Sequence, residues 1–194
     1  MTILIAIFSH LLAVISPGPD TAIILKTAIQ KGRSEAQLVA YGIGVGIFFH
    51  CLFASVGLQL IQELIPNILS YISTVGGLYF IYIGVTSIIG SYSKKPNKVK
   101  VQKKSYFFTG FLVNILNTKA LLFFIALFAY LKTQVDYSFM FSLYFPIATC
   151  MWFLFLGYLI STLKKDVVFL NSNVLNYVFS VFFIVAGILI FLSR

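Results

Sequence analysis

The stretch Ser16-Pro17-Gly18-Pro19-Asp20 interrupts the first long apolar segment of the chain. Between Thr2 and Leu25, Asp20 is the only residue that carries a full charge. Proline lacks a backbone N–H and ends a helix, so the two prolines predict a helix break at membrane depth. Backbone groups freed there are tolerated only where protein or a watery cavity satisfies them. An ionisable residue at that depth is energetically costly, which makes Asp20 a candidate functional residue.

The composition is typical of an integral membrane protein, because 60% of the 194 residues are hydrophobic and 10% are charged. A membrane span needs about 20 mostly apolar residues. The first apolar segment has neither a basic stretch before it nor a small-residue cleavage site, so we expect a retained span rather than a signal peptide. The sequence predicts an all-α protein that forms one membrane domain over residues 1–194. Its six charge-poor segments are Thr2–Leu25, Leu38–Leu60, Ile68–Gly90, Tyr106–Leu131, Phe139–Thr162 and Val174–Leu192.

The basic residues, which give a net charge of +9, are distributed unevenly among the predicted loops. Only Lys132 and Arg194 lie on the other side of the membrane from the basic loops. This asymmetry predicts that loops 1, 3 and 5 are cytoplasmic and that both termini lie outside. It argues against a nucleic-acid partner, although the loop 3 run can attract membrane lipids with anionic headgroups. The basic loop residues are Lys26, Lys31, Arg33, Lys94, Lys95, Lys98, Lys100, Lys103, Lys104, Lys164 and Lys165.

The basic loop 93–104 divides the chain into two predicted half-repeats, 1–92 and 105–194. Each half has three spans, and an odd number of spans gives the halves opposite orientations in the membrane. Inverted repeats are common in transporters, whose sites lie at the repeat interface between broken helices. An offset of 99 residues places Asp20 on Lys119, Gly18 on Asn117 and Cys51 on Cys150. We therefore expect broken helices in spans 1 and 4.

The break in span 1 has two interpretations. Gly18 is a suitable N-cap, and Pro19 suits the first helical position, where its missing N–H is not needed. Asp20 then complements the helix dipole, which is a purely structural role. Because Asn or Ser caps a helix without a charge to desolvate, we favour a functional role in which Asp20 binds a substrate ammonium. The free N–H groups of the second half-helix can hold a substrate carboxylate.

Lys119 is the second charge within a predicted span. We hypothesise that Asp20 and Lys119 approach each other across the repeat interface. The pair is either a static ion pair or one that opens to bind a zwitterion, with Asp20 on the ammonium and Lys119 on the carboxylate. Titration of Asp20 during that exchange would couple transport to protons. Asn114 and Asn117 share a helix face, where they either bind substrate or hold helices together.

Span 2 contains the small-xxx-small pair Gly42 and Gly46, which predicts close helix contact. His50 follows one turn later and is a candidate proton carrier, although a lone histidine is more often a satisfied structural residue. His10 is a weaker candidate. The two histidines and two cysteines lack the spacing of a metal site, and no cofactor is expected.

Taken together, Ser16-Pro17-Gly18-Pro19, Lys31-Gly32-Arg33, the Gly42/Gly46 pair and Gly110-x-x-x-Asn114-x-x-Asn117-x-Lys119-Ala120 closely resemble one family over the whole chain. That family is the group of amino-acid exporters named for the lysine exporter and the homoserine/threonine exporters. Thr118 departs from it, because the family typically has proline there. The missing proline removes the expected cause of a sharp kink in span 4, although Thr118 can perturb the helix by bonding to its own backbone. The site residues that the resemblance carries over are Pro17, Gly18, Pro19, Asp20, Asn114, Asn117 and Lys119.

The resemblance implies efflux of a small zwitterionic amino acid or close derivative from the bacterial cytoplasm across the inner membrane, driven by the proton motive force. The chain is then not an enzyme, and it has no nucleotide-binding motif for ATP hydrolysis. A homo-oligomer is compatible with exporters of this size. The alternatives are a membrane thiol–disulfide electron carrier that uses Cys51 and Cys150, and a transporter-like scaffold without a substrate. A reactive cysteine needs surroundings that favour its thiolate, and the neighbours of these two offer little beyond His50.

Overall fold

The computed structural model describes residues 2–65, 67–90, 105–134, 138–163 and 173–192. These residues form eight α-helices and no strand. The basic loop 93–104, Lys164, Lys165 and Arg194 lie outside the described residues, so the charge asymmetry and the orientation of the chain stay predictions. The helices are α1 (Thr2–Ile15), α2 (Pro19–Gln30), α3 (Arg33–Leu64), α4 (Ile68–Gly90), α5 (Tyr106–Ile115), α6 (Thr118–Gln134), α7 (Ser138–Leu163) and α8 (Asn173–Leu192).

Two predicted spans are broken helices, as expected. The axes of α1 and α2 differ by 48°, and those of α5 and α6 differ by 59°. The first pair ends at Gln30 rather than at the predicted Leu25. The helix continues beyond the apolar segment for one more turn, which contains polar residues. Each break therefore lies between two helices that together are long enough for one span.

The number of spans is confirmed only in part. Within the described residues, three helices are long and apolar enough to cross a membrane, and each bent pair adds one more. The predicted sixth span falls on α8, where the apolar stretch Ser180–Leu192 is too short to meet these criteria. Six spans and the inverted repeat stay predictions. Contacts between equivalent helices of the two halves, α3 with α7 and α4 with α8, are what such a repeat would produce.

Glycines bring α3 and α5 into backbone contact. A Cβ atom added at Gly42 would lie 2.7 Å from the backbone nitrogen of Phe111, and one added at Gly110 would lie 2.9 Å from the carbonyl carbon of Val39. Real Cβ atoms do not approach so closely, so these two positions require glycine. This contact places the first half of broken span 4 directly on α3, where it faces the site described below.

The outer surface is apolar, as expected for helices in lipid. On α4, side chains at helical spacing are more than half exposed: Tyr71, Val75, Leu78 and Tyr82. A soluble protein rarely exposes such a continuous apolar stripe. The core between the helices is also apolar and rich in phenylalanine, including fully buried Phe80, Phe128 and Phe145. Polar side chains that are buried in this surrounding need specific partners, and four of them lie at the two breaks: Ser16, Thr21, Asn114 and Asn117.

Candidate functional site

The break between α1 and α2 is formed by the residues that the sequence indicated. Gly18 is the N-cap of α2, Pro19 occupies its first turn, and Asp20 follows at once. The backbone of Gly18 is extended, and its carbonyl accepts the N–H of Ala22 at 2.9 Å. The Thr21 hydroxyl also donates to the carbonyl of Ser16 at 3.4 Å. The carboxylate of Asp20 consequently stands at the positive end of the α2 dipole.

The break between α5 and α6 is formed without proline. The side-chain oxygen of Asn117 accepts hydrogen bonds from the backbone nitrogens of Lys119 at 3.1 Å and Ala120 at 3.4 Å. These are the second and third residues of α6, so Asn117 is a side-chain N-cap. Thr118 is the first residue of α6, and its side chain is exposed. The sharp break that the missing proline placed in doubt is therefore present, with Asn117 rather than Thr118 as its cause.

Both asparagines of span 4 hold the carboxylate of span 1. Asn114 Nδ2 donates to Asp20 Oδ2 at 2.9 Å, and Asn117 Nδ2 donates to the same oxygen at 3.1 Å. Asn114 is fully buried, and the missing Cβ of Gly46 on α3 leaves the room that it occupies. The other carboxylate oxygen, Asp20 Oδ1, is buried and has no hydrogen-bond partner among the described residues. One oxygen of Asp20 is therefore fixed and the other is free to bind.

Lys119 reaches the first break from the opposite side. Its Nζ donates to Ser16 Oγ at 2.7 Å, and that hydroxyl donates to the carbonyl of Ala13 at 2.7 Å. Lys119 and Asp20 attract each other electrostatically but make no direct ion pair in the structure. Each charge is held by neutral groups of the other broken helix. The two breaks are thus linked by three hydrogen bonds between side chains.

A cavity of about 50 Å³ lies between the two breaks. Space of this size holds a few water molecules. The cavity is lined on one side by polar residues of both breaks, Ser16, Asp20, Thr21, Asn117 and Lys119, with Gly18 beside them. Phe123, Phe124, Phe153 and Ile47 supply an apolar wall. Asp20 and Lys119 give this space one acidic and one basic side chain.

The sequence-predicted residues differ in their relation to this cavity. The cavity is lined by Gly18, Asp20, Asn117 and Lys119. Asn114 is not in the lining, but it donates a hydrogen bond to Asp20. The side chains of Pro17 and Pro19, which lie in the break, are exposed. His50 is not in the lining. Its Nε2 donates to the carbonyl of Asn114 at 3.0 Å, and its role as a proton carrier stays a prediction.

Sequence reasoning assigned no role to several polar residues of the lining, among them Ser16, Thr21 and Thr149. Ser16 was part of the quoted motif but was not assigned a role, and its position in the break was the available signal. His10 was ranked below His50, yet it lines the cavity and contacts Thr149 of α7. The offset of 99 residues that aligns the two halves places His50 on Thr149, which could have identified that position.

The chain is similar to several known proteins. The family described as LysE type translocator matches residues 11–194. The threonine efflux protein of Salmonella typhi is 32% identical over 126 residues, which are 62% of this chain and 61% of that protein. The threonine efflux protein of Escherichia coli K12 is 31% identical over the same shares. An uncharacterised membrane protein of Bacillus subtilis, YrhP, is 28% identical over 167 residues, 78% of this chain and 80% of its own length.

The match to the threonine efflux proteins spans about three fifths of their length. No solved structure matches the chain. The similarity to known proteins therefore rests on sequence. The family match includes the segments that contain both helix breaks.

Proposed function

The chain belongs to the LysE type translocator family, and on that premise we propose that it is a secondary exporter of small amino acids in the bacterial cytoplasmic membrane. Two relatives carry the name threonine efflux protein, which supports an amino acid as substrate. The broken helices meet at a charged cavity inside a bundle whose outer surface suits lipid. This is the arrangement by which many secondary transporters bind substrate.

The observation that carries the proposal is the placement of Asp20 and Lys119 on one cavity without a direct ion pair. The ammonium of an amino acid binds the unpartnered Asp20 Oδ1, and the carboxylate binds Lys119 Nζ. Lys119 then exchanges the Ser16 hydroxyl for a charged acceptor, which is the stronger kind of hydrogen bond. Because Asn114 and Asn117 hold the other Asp20 oxygen, the carboxylate is oriented before substrate arrives.

Asp20 Oδ1 can also couple export to proton entry. A buried carboxylate oxygen without a partner is stabilised by a proton or by an ammonium, and the two exclude each other. Release of substrate on the outside leaves Asp20 to take up a proton, and release of that proton inside restores the binding form. The exchange of one for the other at Asp20 gives antiport without a second site.

The thiol–disulfide alternative has no support in the described residues. Cys51 and Cys150 are free thiols, and neither lines the cavity. Cys150 packs against Gly44 of α3, where a Cβ atom would lie 3.1 Å from that of Cys150. Both cysteines therefore act as apolar contacts between helices.

Export from whole cells tests the proposed function. Cells expressing the full chain are loaded with dipeptides, and each amino acid that appears in the medium is measured. We expect faster appearance of one or a few small amino acids than in empty cells, and we expect Asp20→Asn to abolish it at equal membrane abundance.

Two controls belong to this experiment. Glu63→Gln removes an exposed carboxylate at the end of α3 and should leave export intact. The double variant Cys51→Ser, Cys150→Ser should also export, whereas a redox carrier would be inactivated. Equal release by cells with the protein, without it and with Asp20→Asn would contradict the proposal.

A further inference from the structure

The cavity lies on one side of the two helix breaks. Its lining takes residues from α1 and α6 but none from α5, and from α2 it takes only Asp20 and Thr21 of the first turn. On the predicted orientation, with both termini outside, α1 and α6 lie in the outer half of the membrane. Helix α1 therefore covers the cavity on the side to which an exporter releases its substrate.

Helix α1 is attached less firmly than α5, its counterpart under the offset of 99 residues. Gly42 and Gly110 bring α5 into backbone contact with α3. The same offset places Phe141 on Gly42 and Leu11 on Gly110, so large side chains stand where a close approach of α1 and α7 would need glycine. The buried side chains of α1 are Ala6, Ser9 and His10. Movement of α1 would therefore disturb little of the core.

Side-chain hydrogen bonds tie the first half of span 1 to other spans at two points in the described part of the chain. Near the middle of α1, His10 Nε2 lies 2.9 Å from Thr149 Oγ1 of α7. At the end of α1, Lys119 Nζ donates to Ser16 Oγ at 2.7 Å. The backbone nitrogen of Ser16 in turn donates to the carbonyl of Leu12 at 2.9 Å, so Ser16 continues the last turn of α1.

The charge of Lys119 also acts on α1. Its Nζ is close to the break, 4.0 Å from the position that a Cβ atom on Gly18 would take, and it bonds to the residue that follows α1. A positive charge at the carboxyl end of a helix is stabilised by the helix dipole. Lys119 therefore holds the end of α1 by a hydrogen bond and by its charge.

We propose that Ser16 couples substrate binding to movement of α1. This proposal rests on the proposed function, in which the substrate carboxylate binds Lys119. In the empty protein the bond from Lys119 to Ser16 holds α1 over the cavity. A bound carboxylate replaces the Ser16 hydroxyl, because a charged acceptor makes the stronger hydrogen bond, and it offsets the charge that attracts the end of α1. Helix α1 then turns about the break and opens the cavity to the outside, while α5 stays on α3.

The competition at Lys119 makes opening depend on substrate. A ligand shifts a conformational equilibrium only by as much as it binds the two forms differently. The carboxylate binds the open form better, because Ser16 does not compete for Lys119 there. After release, Lys119 returns to Ser16 and α1 closes. Ser16 thus acts as a positioning residue for α1 and keeps the empty site closed.

Distances between nitroxide spin labels on the full chain in lipid nanodiscs test the proposal. One pair joins Leu4 on α1 to Leu60 on α3, and the control pair joins Phe108 on α5 to the same Leu60. All three side chains are more than half exposed and lie outside the cavity lining. The labels are attached to introduced cysteines in the Cys51→Ser, Cys150→Ser background. Each sample is measured without amino acids and with an equimolar mixture of the standard amino acids.

The variants isolate the hydroxyl of Ser16. Ser16→Ala removes the acceptor of Lys119, and Ser16→Thr keeps it. Ser9→Ala is the matched control, because Ser9 is a fully buried serine of α1 whose hydroxyl has no hydrogen-bond partner among the described residues. If Ser16→Ala does not fold, Lys119→Met removes the other partner of the same bond and is measured in its place.

We expect the amino-acid mixture to shift the distance between Leu4 and Leu60 in the wild type by about 2–5 Å. Ser16→Ala should show the shifted distance without any amino acid, because nothing then holds Lys119 on α1. Ser9→Ala and Ser16→Thr should behave as the wild type. The distance between Phe108 and Leu60 should stay constant in every sample.

Two results would overturn the proposal while export still supports the proposed function. One is a wild-type distance between Leu4 and Leu60 in empty Ser16→Ala, and the other is an equal shift of both label pairs. An unchanged Leu4 distance when the mixture is added to a protein that exports amino acids would also overturn it. Absence of export by the wild type would overturn the proposed function and, with it, the role of substrate in this movement.

Discussion

The break between α1 and α2 contains two prolines, whereas the break between α5 and α6 contains none and bends more, by 59° against 48°. In the first break no side chain caps the new helix, and Pro19 begins it. In the second break the Asn117 side chain makes two hydrogen bonds to the backbone. The first break is thus set mainly by local covalent geometry, and the second depends on one amide.

The charges at the two breaks also differ in their relation to the helix dipoles. Asp20 lies in the first turn of α2, where a negative charge is stabilised. Lys119 lies in the first turn of α6, where a positive charge is opposed. Ser16 and the attraction of Asp20 must offset that opposition. The comparison indicates that the second break is the more sensitive to substitution. It also indicates that a bound anion would stabilise the charge of Lys119.

The largest effect is expected for Asn117→Ala. It removes the cap of α6, worth about 1 kcal/mol, and one of the two bonds to Asp20. We expect unfolding in denaturant to require about 2 kcal/mol less free energy, and export to fall at least tenfold. Asn117→Ser is the informative control, because serine keeps the cap but cannot donate to Asp20 from an amide. If alanine and serine variants behaved alike in both assays, the cap would not stabilise the break.

Gly46→Ala should have the next largest effect, through Asn114. A Cβ atom at Gly46 would overlap the Asn114 side chain, which must then move away from Asp20. We expect a loss of about 1–3 kcal/mol in thermal or denaturant unfolding and weaker export. Gly57 lies on the same helix with open space around it, so Gly57→Ala should be neutral or slightly stabilising. Equal stability of the two variants would show that Asn114 does not need the space at Gly46.

A smaller effect is expected for Ser16→Ala. The Lys119 ammonium loses its only hydrogen-bond partner among the described residues, although it keeps the attraction of Asp20. We expect a decrease of about 1–2 kcal/mol in the free energy of unfolding and a several-fold decrease in export. Ser55→Ala removes a comparable hydroxyl, one that bonds to its own helix at an exposed position, and should change neither quantity. Wild-type export by Ser16→Ala would mean that Lys119 is positioned by other contacts.

The smallest effect, and the sharpest test of the comparison, is expected for Thr118→Pro. Residue 118 is the first of α6, where proline is favoured. We expect unchanged stability or a gain below about 1 kcal/mol, with export retained. Ala120→Pro, two residues later, removes a backbone N–H that bonds to Asn117 and should destabilise the protein clearly. A strongly destabilised Thr118→Pro variant would show that the two breaks cannot be built in the same way.

The sequence predicted the two breaks because their causes are local. Two prolines so close together interrupt a helix by their own geometry, and a lone Asp or Lys within an apolar segment indicates a polar environment. The direct pairing of Asp20 and Lys119 was a reasonable hypothesis from opposite charge, but the structure gives each a neutral partner. Which neighbour a side chain selects depends on distances between helices, and a single sequence does not contain them.

Two residues show why the rest of the site was harder to predict. At Thr118 the expected proline is missing, but the side chain of the adjacent Asn117 is sufficient to cap α6. His50 lies beside a small-residue motif, yet its bond is to the backbone carbonyl of Asn114, next to the second break. His10 had no motif around it, and only the approach of α7 reveals its partner Thr149. Residues whose role depends on a distant helix leave little signal nearby in the chain.

The side-chain cap at Asn117 also affects how relatives of this chain can be found. Because the amide holds the break, the next position is released from any requirement for proline, and a search pattern written as Asn-Pro-Lys would pass over this chain. A pattern written from the groups that meet at Asp20, an acidic residue after Pro-Gly-Pro and two amides three residues apart before a lysine, would retain it. A pattern based on residues that contact each other tolerates such a substitution better than a pattern of consecutive residues.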